Sequence, residues 1–76
     1  MKSFEIIVTE QLKIPAADIR PELTPKDVPE WDSMNYLLFI ADLEKEYGVV
    51  FDMQEVLSMQ SLGDVMGALR KKGIEL

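Results

Sequence analysis

The sequence predicts an all-α fold: a small bundle of three main helices and one short helix, with a long first loop. Three observations predict it. Apolar residues recur at spacings of three and four in three separate segments. Each segment starts at a Ser or Asp suited to capping and ends near a Gly or Pro. No group of alternating apolar runs gathers enough partners for a sheet.

The first helix is expected from about Ser3 to Ile14. Phe4, Ile7, Val8 and Leu12 form one apolar face, and Ser3 supplies a cap. Ile6, Ile7 and Val8 carry strand propensity, but the periodic pattern is longer than a strand needs. Pro15 is expected to stop the helix. Residues 15 to 31 then hold all four prolines, in a connection longer than usual. Ile19, Leu23 and Val28 are its expected anchors. A short helical turn is expected around Ala16 to Ile19, and Thr24-Pro25 reads as a cap followed by a first-turn proline.

The second helix is expected from about Ser33 to Tyr47, capped by Asp32 and released at Gly48. Its expected inward face is Met34, Leu37, Ile40, Ala41, Leu43 and Tyr47. Leu38 and Phe39 widen the apolar surface, which leaves at least one of them near solvent. Trp31 is expected to staple against Phe39 or to join the core. Val49 to Phe51 read as a short extended piece. Asp52 and Glu55 have capping-box spacing and predict a brief helix at about Met53 to Ser58. Ser61 and Asp64 repeat that signal and open a helix from about Leu62 to Lys72, with Val65, Met66 and Leu69 inward. Arg70, Lys71 and Lys72 suit its negative end, and Gly73 closes it.

Composition removes several functions. The 76 residues suit a single small domain over residues 1–76, with little room for a pocket lined by its own catalytic groups. There is no cysteine and no histidine, hence no disulfide framework, thiolate metal site or histidine base. Fourteen acidic residues against eight basic ones give a net charge of -6, which disfavours nucleic acid and anionic lipid and favours basic protein partners. No signal-peptide pattern is expected at the start, and no apolar stretch approaches the roughly 20 residues that span a bilayer. A cytoplasmic location is therefore expected.

The informative junction is Glu30-Trp31-Asp32-Ser33-Met34-Asn35, where the long loop meets the second helix. Ser33 falls at the first helical position, beside backbone donors that lack helical partners. A phosphate ester on its hydroxyl would gain from the positive helix end. The competing reading is that Asp32-Ser33 is merely a cap. A serine hydrolase reading fails for want of a histidine, and an EF-hand reading fails for want of the ligand pattern. An acidic helical interaction module without a prosthetic group remains the alternative.

Around that junction the chain resembles the acyl carrier protein family, which includes peptidyl carrier domains. Asp32-Ser33-Met34 is similar to the family's Asp-Ser-Leu motif. Leu43-Glu44-Lys45-Glu46-Tyr47-Gly48-Val49 resembles its Leu-Glu-x-x-Phe-Gly-Ile stretch, and Ser61-Leu62-Gly63-Asp64-Val65 resembles its fourth-helix opening. The likeness runs over nearly the full length. It implies a stand-alone, non-catalytic, monomeric carrier. Its 4'-phosphopantetheine arm, donated by coenzyme A, would sit on Ser33 and hold an acyl, polyketide or aminoacyl thioester. The implied partners are a phosphopantetheinyl transferase, a loading enzyme and a downstream synthase or transferase. Asp32, Met34, Asn35, Leu38, Ala41, Asp42 and Lys45 are the implied partner-binding residues. Asp32, Asp42, Glu44 and Glu46 would steer basic partners, and Met34, Leu37, Leu38 and Ala41 would make an apolar contact beside the arm. Met34 replaces the family's Leu and is expected still to fill the bundle, adaptable with Met59 and Met66 if a hydrophobic cargo folds back inside. Trp31, Asn35 and Leu38 depart from fatty-acid carriers and point to a specialised pathway.

Overall fold

A computed structural model of the chain describes residues 2–76. Four α-helices and one 3-10 turn occur among them, and no strand: α1 (Phe4–Leu12), the turn Ala16–Asp18, α2 (Ser33–Tyr47), α3 (Met53–Ser58) and α4 (Leu62–Lys71). The predicted fold class is the observed one.

Local signals set most boundaries. The Ser3 hydroxyl accepts from the Ile6 N–H and starts α1. The helix ends before Pro15 is reached, earlier than predicted. Lys13 takes a left-handed conformation with φ 59°, and its N–H donates to the Thr9 carbonyl. The Thr9 hydroxyl then donates to the Ile14 carbonyl at 2.8 Å and folds the exit back on the helix. In α3 both legs of the Asp52–Glu55 capping box are present. Ser61 caps α4, but the Asp64 carboxylate accepts from the Gln60 N–H, one residue before the cap. Gly73, at φ 91°, closes α4. Its N–H donates to the Arg70 carbonyl, and the Ile74 N–H donates to the Leu69 carbonyl, the two bonds of a Schellman exit.

The long loop is a series of three turns. N–H to carbonyl bonds close Arg20–Leu23, Thr24–Asp27 and Val28–Trp31. In each the second residue is proline (Pro21, Pro25, Pro29), whose fixed φ suits that place. Thr24-Pro25 therefore opens a turn and not the helix its sequence suggests. The Asp27 carboxylate accepts from both the N–H and the hydroxyl of Thr24. Leu23, Val28 and Trp31 are buried as anchors, while Ile19 is half-buried. The loop also finishes α4: the Leu62 and Gly63 N–H groups donate to the Leu23 and Pro21 carbonyls at 3.0 and 2.9 Å. These are first-turn donors with no partner inside their own helix.

α2 is the central element. Its buried residues are Phe39, Ile40 and Leu43, with Tyr36 and Tyr47 packed partly against the core. The predicted inward face is wrong at three positions. Met34 is 71% exposed, Leu37 is 54% exposed and Ala41 is also exposed. Met34 does not fill the bundle. α1 lies on one side of α2, with Phe4 edge-on to Phe39 at 6.0 Å between ring centres. α3 lies on the other, where the Tyr36 hydroxyl donates to the Val56 carbonyl at 2.7 Å. α4 closes the core with Leu62, Val65 and Leu69; Met66 is only half-buried. Lys72 ties α4 to α3 through Glu55 at 2.9 Å and lies 5.0 Å from the Phe51 ring centre.

Candidate functional site

Trp31, immediately before the cap, is buried against the core. Its staple partner is Tyr36, with ring centres 5.9 Å apart, and not the predicted Phe39. Trp31 precedes the cap and Tyr36 is the fourth helical residue, which is the register of a hydrophobic staple. Phe39 is instead taken by Phe4. Asp32 is the cap: its carboxylate accepts from the Asn35 N–H at 2.8 Å. The Asn35 side chain reaches back and donates to the Glu30 carbonyl at 2.8 Å. The Val28–Trp31 turn, the staple, the cap and the Asn35 bond together fix the angle at which loop and helix meet.

Ser33 stands on this junction as the first residue of α2 and is exposed. The chain has six Ser and Thr hydroxyls. Five are engaged: Ser3, Thr9, Thr24, Ser58 and Ser61 each hydrogen-bond to backbone or side chain. Ser33 alone has no hydrogen-bond partner among the described residues. Asp32 does the capping, so the Ser33 hydroxyl has no structural task.

The outward surface beside Ser33 is apolar. Met34, Leu37, Leu38, Ala41 and Lys45 lie along one exposed side of α2 at helical spacing. A shallow cleft of about 400 Å³ joins Ser33 to Pro25, Trp31, Tyr36, Val56, Leu57 and Met59. Beyond it, α3 exposes Leu57 (74%) and Met53 (66%). Each such side chain would gain about 1.5–3 kcal/mol from full burial, so leaving several uncovered on one side is a feature to explain. A depression of about 430 Å³ between α3 and α4 includes Gly63, Gly67 and Lys71 but not Ser33.

The sequence-expected site residues fall in three places. Ser33, Met34, Leu38, Ala41 and Lys45 share the exposed side. Asp32 and Asn35 hold the helix start. Asp42 turns toward α1, where its side chain is 10% exposed and accepts from Lys2 at 2.9 Å and Gln11 at 3.3 Å. Burial pushes the Asp42 carboxyl up, but the hydrogen bonds from Lys2 and Gln11 outweigh it, and the group sits below its usual range. The same contacts raise the Lys2 ammonium above its ordinary value, through Asp42 first and Glu10 second. Two other carboxylates expected to steer basic partners each give one oxygen to a backbone N–H. Glu44 accepts from the Phe51 N–H and Glu46 from the Lys2 N–H. Met53 and Leu57 were not singled out by sequence, although their spacing of four on a capped six-residue helix is the available signal.

Comparison with known proteins bears on the fold. No family model matches the chain, and no curated protein sequence matches it. Among solved structures, a Mycobacterium tuberculosis chain provisionally assigned as an acyl carrier protein superposes with a TM-score of 0.79, covering 92% of this chain and 99% of that one. The two are 18% identical. The likeness is one of fold: this chain adopts the helical arrangement of that carrier. No helix among the described residues is long and apolar enough to cross a membrane.

Proposed function

We propose that this protein is a carrier that holds an acyl, polyketide or aminoacyl group as a thioester on a 4'-phosphopantetheine arm at Ser33. The observation that carries the reading is the Ser33 hydroxyl. It is exposed at a helix start, held on a rigid junction, and alone among the Ser and Thr hydroxyls in having no partner among the described residues.

The surroundings fit such a group. The first N–H groups of α2 and the positive helix end favour a phosphodiester there. The neighbouring Asp32 carboxylate takes one of these donors, the Asn35 N–H, for itself. The cleft from Pro25 to Met59 offers an apolar lining beside the arm's root. Bound there, the arm would supply a thiol for thioester chemistry. The protein's own residues supply position: Trp31, Tyr36, Asp32 and Asn35 orient Ser33, and the tether keeps the cargo at high local concentration near each enzyme it visits. With no histidine or cysteine in the chain, catalysis is left to those enzymes.

Incubation with coenzyme A and a broad-specificity phosphopantetheinyl transferase tests this. The expected result is a mass gain of one phosphopantetheine in the wild type and none in Ser33→Ala, with both proteins melting alike. A folded wild type that gains nothing leaves the interaction-module reading in its place.

A further inference from the structure

The cleft at Ser33 does not end at α3. Met59, half-buried just after that helix, lines both the cleft and the depression of about 430 Å³ between α3 and α4. The depression is open where α4 carries small residues, and a Cβ at Gly67 would meet nothing within 4 Å. Its border is charged, with Glu55, Asp64 and Lys71. These three charges are not equivalent. Glu55 pairs with Lys72 at 2.9 Å. Asp64 gives one oxygen to the neutral Gln60 N–H at 2.9 Å and keeps its charge. Neither Asp64 nor Lys71 has an ion-pair partner among the described residues. Asp64 stands in the first turn of α4 and Lys71 in the last, about 10 Å further along the axis. Of the two, Asp64 is beside the cleft. Its bond partner Gln60 follows Met59, and its charge is felt at the Tyr36 phenol, which lines the cleft. A group reaching over Met59 from Ser33 therefore meets an uncompensated carboxylate first.

Building on the carrier reading, we infer that the depression between α3 and α4 seats the group at the end of the arm, and that this group is aminoacyl, its ammonium meeting Asp64. Charge separates it from the other cargo classes. Hydrocarbon laid there covers Asp64 and Lys71 and costs them hydration. A cargo with a free carboxylate meets Asp64 with like sign before it reaches Lys71. An aminoacyl group has its own carboxyl in the thioester, which leaves the ammonium as the charge of its backbone. The contact is exposed and selects between cargoes modestly, while the tether supplies the local concentration.

The test loads the arm with the transferase and coenzyme A analogues that carry alanyl, isobutyryl or malonyl through an amide, which resists hydrolysis. Alanyl and isobutyryl share a shape, with the ammonium of one replaced by a methyl in the other. Backbone amide shifts are read near pH 6.5, where an α-amine is charged, each against the same protein with the bare arm. Alanyl is expected to shift Gly63 and Asp64, and isobutyryl and malonyl to leave them unmoved. Asp64→Asn keeps an acceptor for the Gln60 N–H and is expected to lower the docked population about twofold to fivefold, read as smaller shifts at Gly63. Gly67→Leu fills the depression and is expected to abolish the alanyl shifts. Isobutyryl or malonyl shifts equal to those of alanyl overturn the inference. So do alanyl shifts confined to the cleft at Ser33, or alanyl shifts that persist unchanged in both variants. Thermal melts confirm that each variant is folded; if Gly67→Leu lowers the melt, Gly67→Ala replaces it and is expected to reduce the shifts. A wild type that takes no arm from any analogue is a separate result: it overturns the carrier reading, and this inference with it.

Discussion

The bond between Tyr36 and Val56 joins the helix that carries Ser33 to the helix that walls its cleft. Tyr36→Phe removes only the hydroxyl. The ring stays to pack on Trp31. The Val56 carbonyl belongs to the last turns of a six-residue helix, where carbonyls lack partners within the helix. The Tyr36 phenol supplies that partner at 2.7 Å. The site borders an open cleft, so water partly replaces the phenol. The loss is then about 1 kcal/mol, below the cost of leaving a fully buried group unpaired. In a domain of this size that lowers Tm by roughly 4–8 °C. The phenol also gives a pH signature. Burial raises the Tyr36 pKa, with the charge of Asp64 adding to it. A raised folded-state pKa contributes stability that is fully present below the ordinary value of about 10 and is lost as pH rises through the folded value. Lys2 and Tyr47 are raised as well, so the wild-type curve alone mixes three groups. The difference between wild type and Tyr36→Phe isolates the phenol. Thermal melts followed by circular dichroism are expected to show the gap near pH 8 and its narrowing at strongly alkaline pH. An unchanged Tm at pH 8 would refute the reasoning, because it would mean that water serves Val56 as well as Tyr36 does.

Two further perturbations test how the bundle is held. Gly63→Ala sets a Cβ 3.1 Å from the Pro21 carbonyl oxygen, in a loop already fixed by the Leu62 to Leu23 bond, whereas at Gly67 a Cβ meets nothing within 4 Å. Gly67→Ala is therefore expected to stabilise by up to about 1 kcal/mol, and Gly63→Ala to lose that gain to crowding and melt lower than wild type. On the acid side, Glu55 is held below its usual range by Lys72 first and the Asp52 N–H second, and Asp42 is lowered as described. A depressed carboxyl contributes stability above its ordinary pKa of about 4 and loses it as pH falls through the folded value. Tm is expected to drop below about pH 4, and Asp42→Asn to flatten part of that drop; an equally steep drop in Asp42→Asn contradicts the assignment.

Much of the fold is legible in the sequence because its helices are bounded by side chains that act locally. Asp32, Asp52 with Glu55, Ser61 and Gly73 each complete backbone bonds within a few residues, so their positions speak for themselves. The facing of α2 does not. Its apolar residues occur in two phases: Tyr36, Phe39, Ile40 and Leu43 in one, and Met34, Leu37, Leu38 and Ala41 in the other. Both have helical period, and periodicity cannot say which one faces the core. The staple could have decided it, since Trp31 fixes the fourth helical residue, Tyr36, on the inner side. Ser33 was legible from its place at the helix start. Its lack of a partner was legible only in part: Asp32 reads as the cap, but whether any other group reaches the hydroxyl depends on how the loop and α3 pack around it. The engagement of Asp42 and Glu46 was hidden for a different reason: their partner Lys2 lies some forty residues away in sequence.

Locating the added mass is the most direct measurement of all. After treatment with coenzyme A and the transferase, fragmentation of the intact protein assigns the modified residue. The expected result is one phosphopantetheine on Ser33, with Ser3, Ser58 and Ser61, whose hydroxyls are already bonded, unmodified. A folded protein that gains no mass, or gains it at another serine, contradicts a carrier built on Ser33.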